Sequence, residues 1–182
     1  MKLLENGLLK RAVYRGSANQ DERPPDTEID LLVIHSISLP PGEFGGSWID
    51  NLFMNCLDAD AHPFFQEINE LRVSIHLLIR RDGSLVQYVP FHNRAWHAGE
   101  SSFCGQQRCN DFSIGIELEG CDDKPFTEEQ YQSLAEATTQ IMNSYPSITQ
   151  ERITGHADIS PGRKTDPGPL FDWDYYFSLL HS

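Results

Sequence analysis

Cationic residues are scarce in this chain: 14 Lys and Arg stand against 27 Asp and Glu, a formal net charge of -13. That imbalance opposes nonspecific binding to nucleic acid and to anionic membranes. An anionic substrate must then be drawn in by a few local arginines. Cysteine is scarce too. Cys56, Cys104, Cys109 and Cys121 are too few and too scattered over 182 residues for a disulfide scaffold. The gap between Cys104 and Cys109, with no second Cys pair, argues against a zinc ribbon. Long apolar runs are missing. No segment approaches a membrane span, and Met1 to Arg11 is interrupted by Glu5 and Asn6 and too short for a secretory h-region. There is no internal repeat, low-complexity tract or linker. A cytoplasmic, reduced protein with one domain over residues 1–182 is the simplest expectation.

What is present points to a folded globule. The apolar fraction is 39%, with 3 Trp, 6 Tyr and 10 Phe, enough for a sizeable core. Leu31 to Ile37 reads as a buried strand. The Pro- and Gly-rich stretch from Ser38 to Ser47 reads as loop, and Pro63 to Leu71 as a short helix. Val73–Arg80 and Leu85–Pro90 flank Asp82-Gly83, a strong hairpin signal. Phe112 to Glu119 is a further strand. Thr127 with Gln130 forms a capping-box pattern for a helix running to about Tyr145, before Pro146. A last helix begins near Asp172 and covers Trp173 to Leu180. Strands interspersed with helices predict an α/β fold: a mixed central β-sheet flanked by helices.

The segment from Thr154 to Gly168 places His156, Lys164 and Asp166 in one stretch punctuated by Gly155, Pro161, Gly162, Pro167 and Gly168. Its prolines predict a stiff loop kept off helix and sheet. Imidazole and carboxylate are zinc ligands, and Lys164 shares the side of an extended segment with Asp166. A second imidazole is available at His35, at the end of the first apolar strand, where functional groups emerge. Two His and one carboxylate leave a fourth zinc position open, the pattern of a catalytic site. Glu117 is the candidate base. In Ile114 to Glu119 the apolar residues share one face, and Gly115, Glu117 and Glu119 the other. The missing side chain at Gly115 leaves room for a substrate, whereas Glu119 reads as plain solvated strand face. A carboxylate beside a zinc-activated water can take its proton and pass it to a leaving amine. Lys164 would face the oxyanion. His76 reads as supporting or structural, His62 as a loop residue, and His97 as lining a groove rather than binding metal. Asp158 either orients His156 or is a solvated loop carboxylate.

These residues resemble a known family. The carrying motifs are Leu32-Val33-Ile34-His35 with the loop to Gly46, Leu71-Arg72-Val73-Ser74-Ile75-His76, Arg80-Arg81-Asp82-Gly83, Arg94-Ala95-Trp96-His97-Ala98-Gly99, Cys109 to Gly120, and Gly155-His156-Ala157-Asp158-Ile159 through Lys164-Thr165-Asp166-Pro167-Gly168. Together they are similar to zinc N-acetylmuramoyl-L-alanine amidases, above all the cytosolic AmpD type that cleaves anhydromuropeptides in cell-wall recycling. The resemblance spans nearly the whole chain. It implies the amidase-2 (peptidoglycan-recognition-like) α/β fold, one catalytic Zn2+ on His35, His156 and Asp166, Glu117 as catalytic glutamate and Lys164 as the transition-state lysine. It further implies Arg72 and Arg108 meeting the stem-peptide carboxylates, Trp96 lining the substrate groove, a muropeptide substrate and an indirect link to β-lactamase induction; a monomer with no nucleic-acid or membrane partner is expected. One departure is Ser36, where the family pattern leads one to expect Asn. Three rivals stay open: a phage or autolysin amidase acting on polymeric peptidoglycan, a non-catalytic peptidoglycan-binding module of the same fold, and an unrelated zinc hydrolase.

Overall fold

Leu31 to Ile34 are apolar and fully buried, so this strand can only lie inside a sheet covered on both faces. The computed structural model describes residues 1–180. In chain order its elements are β1 (Val13–Tyr14), β2 (Gln20–Asp21), β3 (Leu31–Ile37), α1 (Trp48–Phe53), α2 (Phe65–Ile68), β4 (Leu77–Ile79), β5 (Leu85–Gln87), β6 (Arg94–Ala95), β7 (Ser102–Phe103), β8 (Gln106–Gln107), β9 (Ser113–Glu119), α3 (Glu128–Ser144), β10 (Ile153–Gly155), α4 (His156–Ile159) and α5 (Trp173–Leu180). The main sheet has 6 strands in the order β1-β5-β4-β9-β3-β10. It is mixed: β4, β9, β3 and β10 run parallel, and β5 turns back antiparallel to β4. This is the expected mixed central sheet.

Strand alternation divides the core. Leu32 and Ile34 of β3 and Ile114, Ile116 and Leu118 of β9 pack with Leu134, Ala137 and Ile141 of α3 and with Tyr176 of α5. On the other side Leu78, Val86 and Tyr88 pack with Ile49, Leu52 and Phe53 of α1. Each such buried side chain contributes about 1.5–3 kcal/mol. α3 starts at the predicted capping box: Thr127 Oγ1 accepts from Gln130 N at 3.2 Å, and Gln130 Oε1 accepts from Thr127 N at 3.1 Å. The Gln130 amide also donates to the Glu119 carbonyl at 2.9 Å, tying helix to sheet. The β4–β5 turn uses Gly83 at φ +76, where an added Cβ would lie 2.7 Å from the Glu129 carbonyl.

Several elements differ from expectation. The Val73–Arg80 strand shrinks to β4: Ser74 N leaves the main sheet to donate to Trp96 O, and His76 keeps only the bond from Tyr88 N, one pair beyond Leu77 opposite Gln87. The helix expected from Pro63 is only α2. The segment around His156 is not all loop. Ile153–Gly155 forms β10, and one turn of helix follows as α4. Asp158 explains that turn: its carboxylate accepts from Gly155 N and Thr154 Oγ1, both at 3.0 Å, so this exposed residue caps the helix start and does not orient His156. Glu119 is not solvated. It is 2% exposed, pairs with Arg80 at 3.1 Å and accepts from Gly45 N at 2.7 Å.

Candidate metal centre

Strand register brings the candidate ligands together. β3 and β9 run parallel with His35 opposite Glu117. β10 flanks β3 on the other side with Gly155 opposite Ile34, so His156 emerges beside His35 as α4 begins. The loop after α4 folds back, Ala157 N donating to the Asp166 carbonyl at 2.9 Å, which brings the Asp166 carboxylate to the same point. His35 Nδ1 and His156 Nδ1 lie 3.0 Å apart, and Asp166 Oδ2 is 3.2 Å from the first and 3.1 Å from the second.

That triangle fits a divalent ion. Zinc with tetrahedral ligands at about 2.0–2.1 Å sets ligand atoms about 3.3 Å apart, close to the 3.0–3.2 Å found. The protons agree. His156 Nε2 lies 3.1 Å from the Ala98 carbonyl, which can only accept, so the ring hydrogen is on Nε2 and Nδ1 turns a lone pair inward. Acceptor atoms converging on one point repel unless a cation joins them. Burial would raise the Asp166 carboxyl, yet the His156 and His35 rings beside it hold it well below the carboxylate range, so the cluster keeps its negative charge. Burial pushes His35 down to about 4 in the metal-free protein, and a neutral imidazole is the ligating form.

Glu117 is 8% exposed. Burial drives its carboxyl well above the usual range, Asp166 adds to the rise, and Lys164 opposes it. His35, His156, Asp166, Glu117 and Lys164 line one cavity of about 330 Å³, with Ser36 beside them and Leu39, Phe53 and Ile68 among its apolar walls.

The remaining predicted residues are spread further. Arg72 is exposed, its guanidinium donating to the Glu70 carbonyl at 3.2 Å, between Leu71 and Val73, which line the cavity. Arg108 is 73% exposed and lines a separate hollow of about 410 Å³ with Ser160 and Arg163. The Trp96 indole donates to Asp21 at 3.2 Å and is not among the cavity-lining residues. His97 lines the cavity and also lies directly against His35, with 2.9 Å between His97 Nδ1 and His35 Nε2. Gly115 leaves room for His97 and Ile75, not for a substrate: a Cβ there would sit 2.6 Å from His97 Nδ1 and 2.7 Å from Ile75. His76 serves the backbone, accepting from Gly115 N at 3.0 Å. Sequence reasoning missed Arg163, whose guanidinium donates to the Ala98 carbonyl at 2.6 Å; a lone arginine in a loop carries no signal for that.

A mixed sheet that delivers two imidazoles and two carboxylates to one cavity, one carboxylate with a raised pKa, is the equipment of a metal-assisted hydrolase. The profile of the N-acetylmuramoyl-L-alanine amidase family (Amidase_2) matches residues 25–169. The 1,6-anhydro-N-acetylmuramyl-L-alanine amidase AmpD of Escherichia coli K12 is 60% identical over 178 residues, covering 98% of this chain and 97% of that one. A crystal structure of a selenomethionine AmpD derivative superposes with a TM-score of 0.95 at 57% identity, over 98% of this chain and 99% of that one. The amidase AmiD from E. coli, in complex with the substrate anhydro-N-acetylmuramic acid-L-Ala-D-gamma-Glu-L-Lys, gives 0.63 at 31% identity, over 87% of this chain and 60% of that one. The chain belongs to the amidase-2 family and is an N-acetylmuramoyl-L-alanine amidase. All four cysteines are free, and no helix among the described residues is long and apolar enough to cross a membrane.

Proposed function

We propose that this chain uses one Zn2+ on His35, His156 and Asp166 to hydrolyse the amide between 1,6-anhydro-N-acetylmuramic acid and the L-alanine of the stem peptide, in cytoplasmic recycling of muropeptides. The observation that carries the metal reading is the triangle of two imidazole Nδ1 atoms and one carboxylate oxygen, 3.0–3.2 Å on a side, in the same cavity as Glu117. The substrate reading is supported by the activity named for the 60%-identical E. coli protein and by the ligand named for the AmiD complex. Four free thiols suit a reducing compartment.

When bound, the ion supplies Lewis acidity, polarising the amide carbonyl and lowering the pKa of a water towards about 7. The chain's own groups do the rest. Glu117, with its carboxyl raised by burial, has proton affinity enough to take a proton from the attacking water. It then returns that proton to the alanine nitrogen as the C–N bond breaks. Lys164 in the same cavity stabilises the negative oxygen of the tetrahedral intermediate, a role worth about 3–4 kcal/mol for one donor. The apolar wall of Leu39, Phe53 and Ile68 excludes water around these charges. Arg72 and Arg108, on an otherwise acidic protein, meet the carboxylates of the peptide. His97 borders the groove, whereas Trp96 stands outside its lining, bonded to Asp21.

Rates on a soluble anhydromuropeptide and on intact sacculi test the substrate. Much faster release of peptide from the soluble compound is expected; preference for sacculi would support the polymer-cleaving alternative instead.

A further inference from the structure

Both ligand imidazoles lean on one dipeptide, His97-Ala98. The outer nitrogen of His35 lies 2.9 Å from His97 Nδ1, and the outer nitrogen of His156 lies 3.1 Å from the Ala98 carbonyl. On the His35 side the direction of every proton follows from the far end of the chain. The Cys109 carbonyl only accepts, so the Ser113 hydroxyl, 2.6 Å away, donates to it. With its one hydrogen placed there, Ser113 Oγ accepts from His97 Nε2 at 3.2 Å. His97 therefore carries its hydrogen on Nε2 and offers a lone pair at Nδ1. That lone pair takes the hydrogen of His35 Nε2, and His35 is left with a bare Nδ1 turned to His156 and Asp166.

The dipeptide itself is pinned. The His97 and Ala98 backbone N–H groups both donate to Asn110 Oδ1, at 3.0 and 2.8 Å. The His97 ring fills the space that Gly115 leaves open. Asn110 touches neither the cavity nor a ligand, yet both outer contacts of the metal cluster depend on where it holds the chain.

We propose that His97 and Asn110 are positioning residues: His97 fixes His35 with Nδ1 towards the ion, and Asn110 holds the bracket on which both histidines rest. This rests on the metal reading above. Groups that orient a metal-bound imidazole in this way typically change metal affinity by about 10–100-fold when removed.

The test has two readouts that do not involve turnover. Imidazole 1H–15N correlation spectra of metal-free protein report tautomers directly. The wild type should show His35 and His156 each protonated at Nε2 alone, and His97→Ala should leave His156 so while His35 becomes a mixture. Zinc affinity by chelator competition should fall about 10–100-fold in His97→Ala and fall also in Asn110→Ala. His97→Gln, whose amide can accept from His35 and donate to Ser113, should recover most of the loss, as should Asn110→Asp, which keeps an oxygen for both N–H groups. If His97→Ala does not fold by circular dichroism, Ser113→Ala breaks the same chain further out and should give a smaller loss with the same mixed tautomer. Wild-type protein that takes up no zinc would overturn the metal reading beneath the proposal. Wild-type protein that binds zinc, with an unaltered affinity and a single His35 tautomer in these variants, overturns the proposal itself. A role for His97 in substrate contact alone would raise KM and leave metal affinity untouched.

Discussion

Glu117 and Glu119 show what a residue's surroundings add to its place in a strand. Both point to the same side of β9, both are buried, and only one faces the cavity. Glu119 is neutralised by Arg80 and by the Gly45 and Arg81 backbone. Glu117 has been left with a carboxyl whose proton affinity burial has raised. Glu117→Gln keeps the shape and removes the base, so we expect the amidase rate to fall about 10²–10⁴-fold, the usual share of general acid–base catalysis. Zinc content should stay at the wild-type level. Steady-state rates with metal analysis check this; an unchanged rate removes Glu117 from the mechanism. Alternation in Ile114 to Glu119 gave the face correctly. It could not tell the two glutamates apart, because Arg80 lies 39 residues from Glu119 in sequence. For the same reason His97, 62 residues from His35, read as a groove residue and not as its neighbour.

At the scale of elements, the site is a consequence of register. A parallel pair with His35 level with Glu117, and β10 ending one residue short of His156, needs no special loop to bring these groups together. The far end of β9 is held by a buried ionic chain: Glu119 to Arg80, Arg80 to Asp50 at 2.9 Å, and Asp50 to Tyr88. Removing one partner strands the others. Glu119→Ala should therefore destabilise the protein by about 3–5 kcal/mol, read as a lower urea midpoint with an unchanged slope. A loss under about 1 kcal/mol, the range of exposed pairs, would contradict the burial argument. The hairpin at Gly83 and helix α3 were legible because Asp-Gly and the Thr127 capping box are local chemistry. β10 and α4 were not, since a strand of three residues and a helix of four are too short for either periodicity to register.

For the whole molecule, acidity and buried imidazoles govern the response to pH. His35 and His76 are buried, His97 is half-buried, and all three have lowered pKa, chiefly through desolvation, so in the metal-free protein they fold uncharged. The unfolded chain takes up protons on these histidines below about 6.5 while the native state does not. Their contribution is complete above that pH and is lost as pH falls below it, for His35 down to about 4. Glu117, raised, acts in the opposite sense over part of that window, one group against three. Chelator-stripped protein should accordingly melt at a lower temperature at pH 5 than at pH 7. A flat or rising midpoint towards acid would mean that the three rings are not held neutral. The mixed sheet was visible from sequence because its central strands are strongly apolar. The chemistry was visible because ligand-type residues cluster near Pro and Gly, and family-like motifs recur along nearly the full chain.

The most direct test of the account is product analysis by mass spectrometry on a defined anhydromuropeptide, with purified protein before chelation, after chelation, and after zinc is restored. The account predicts free anhydro-sugar and intact stem peptide in the first and third samples and none in the second, with Asp166→Ala inactive and low in zinc throughout. Cleavage that persists after complete removal of metal, or full zinc occupancy in Asp166→Ala, would contradict it.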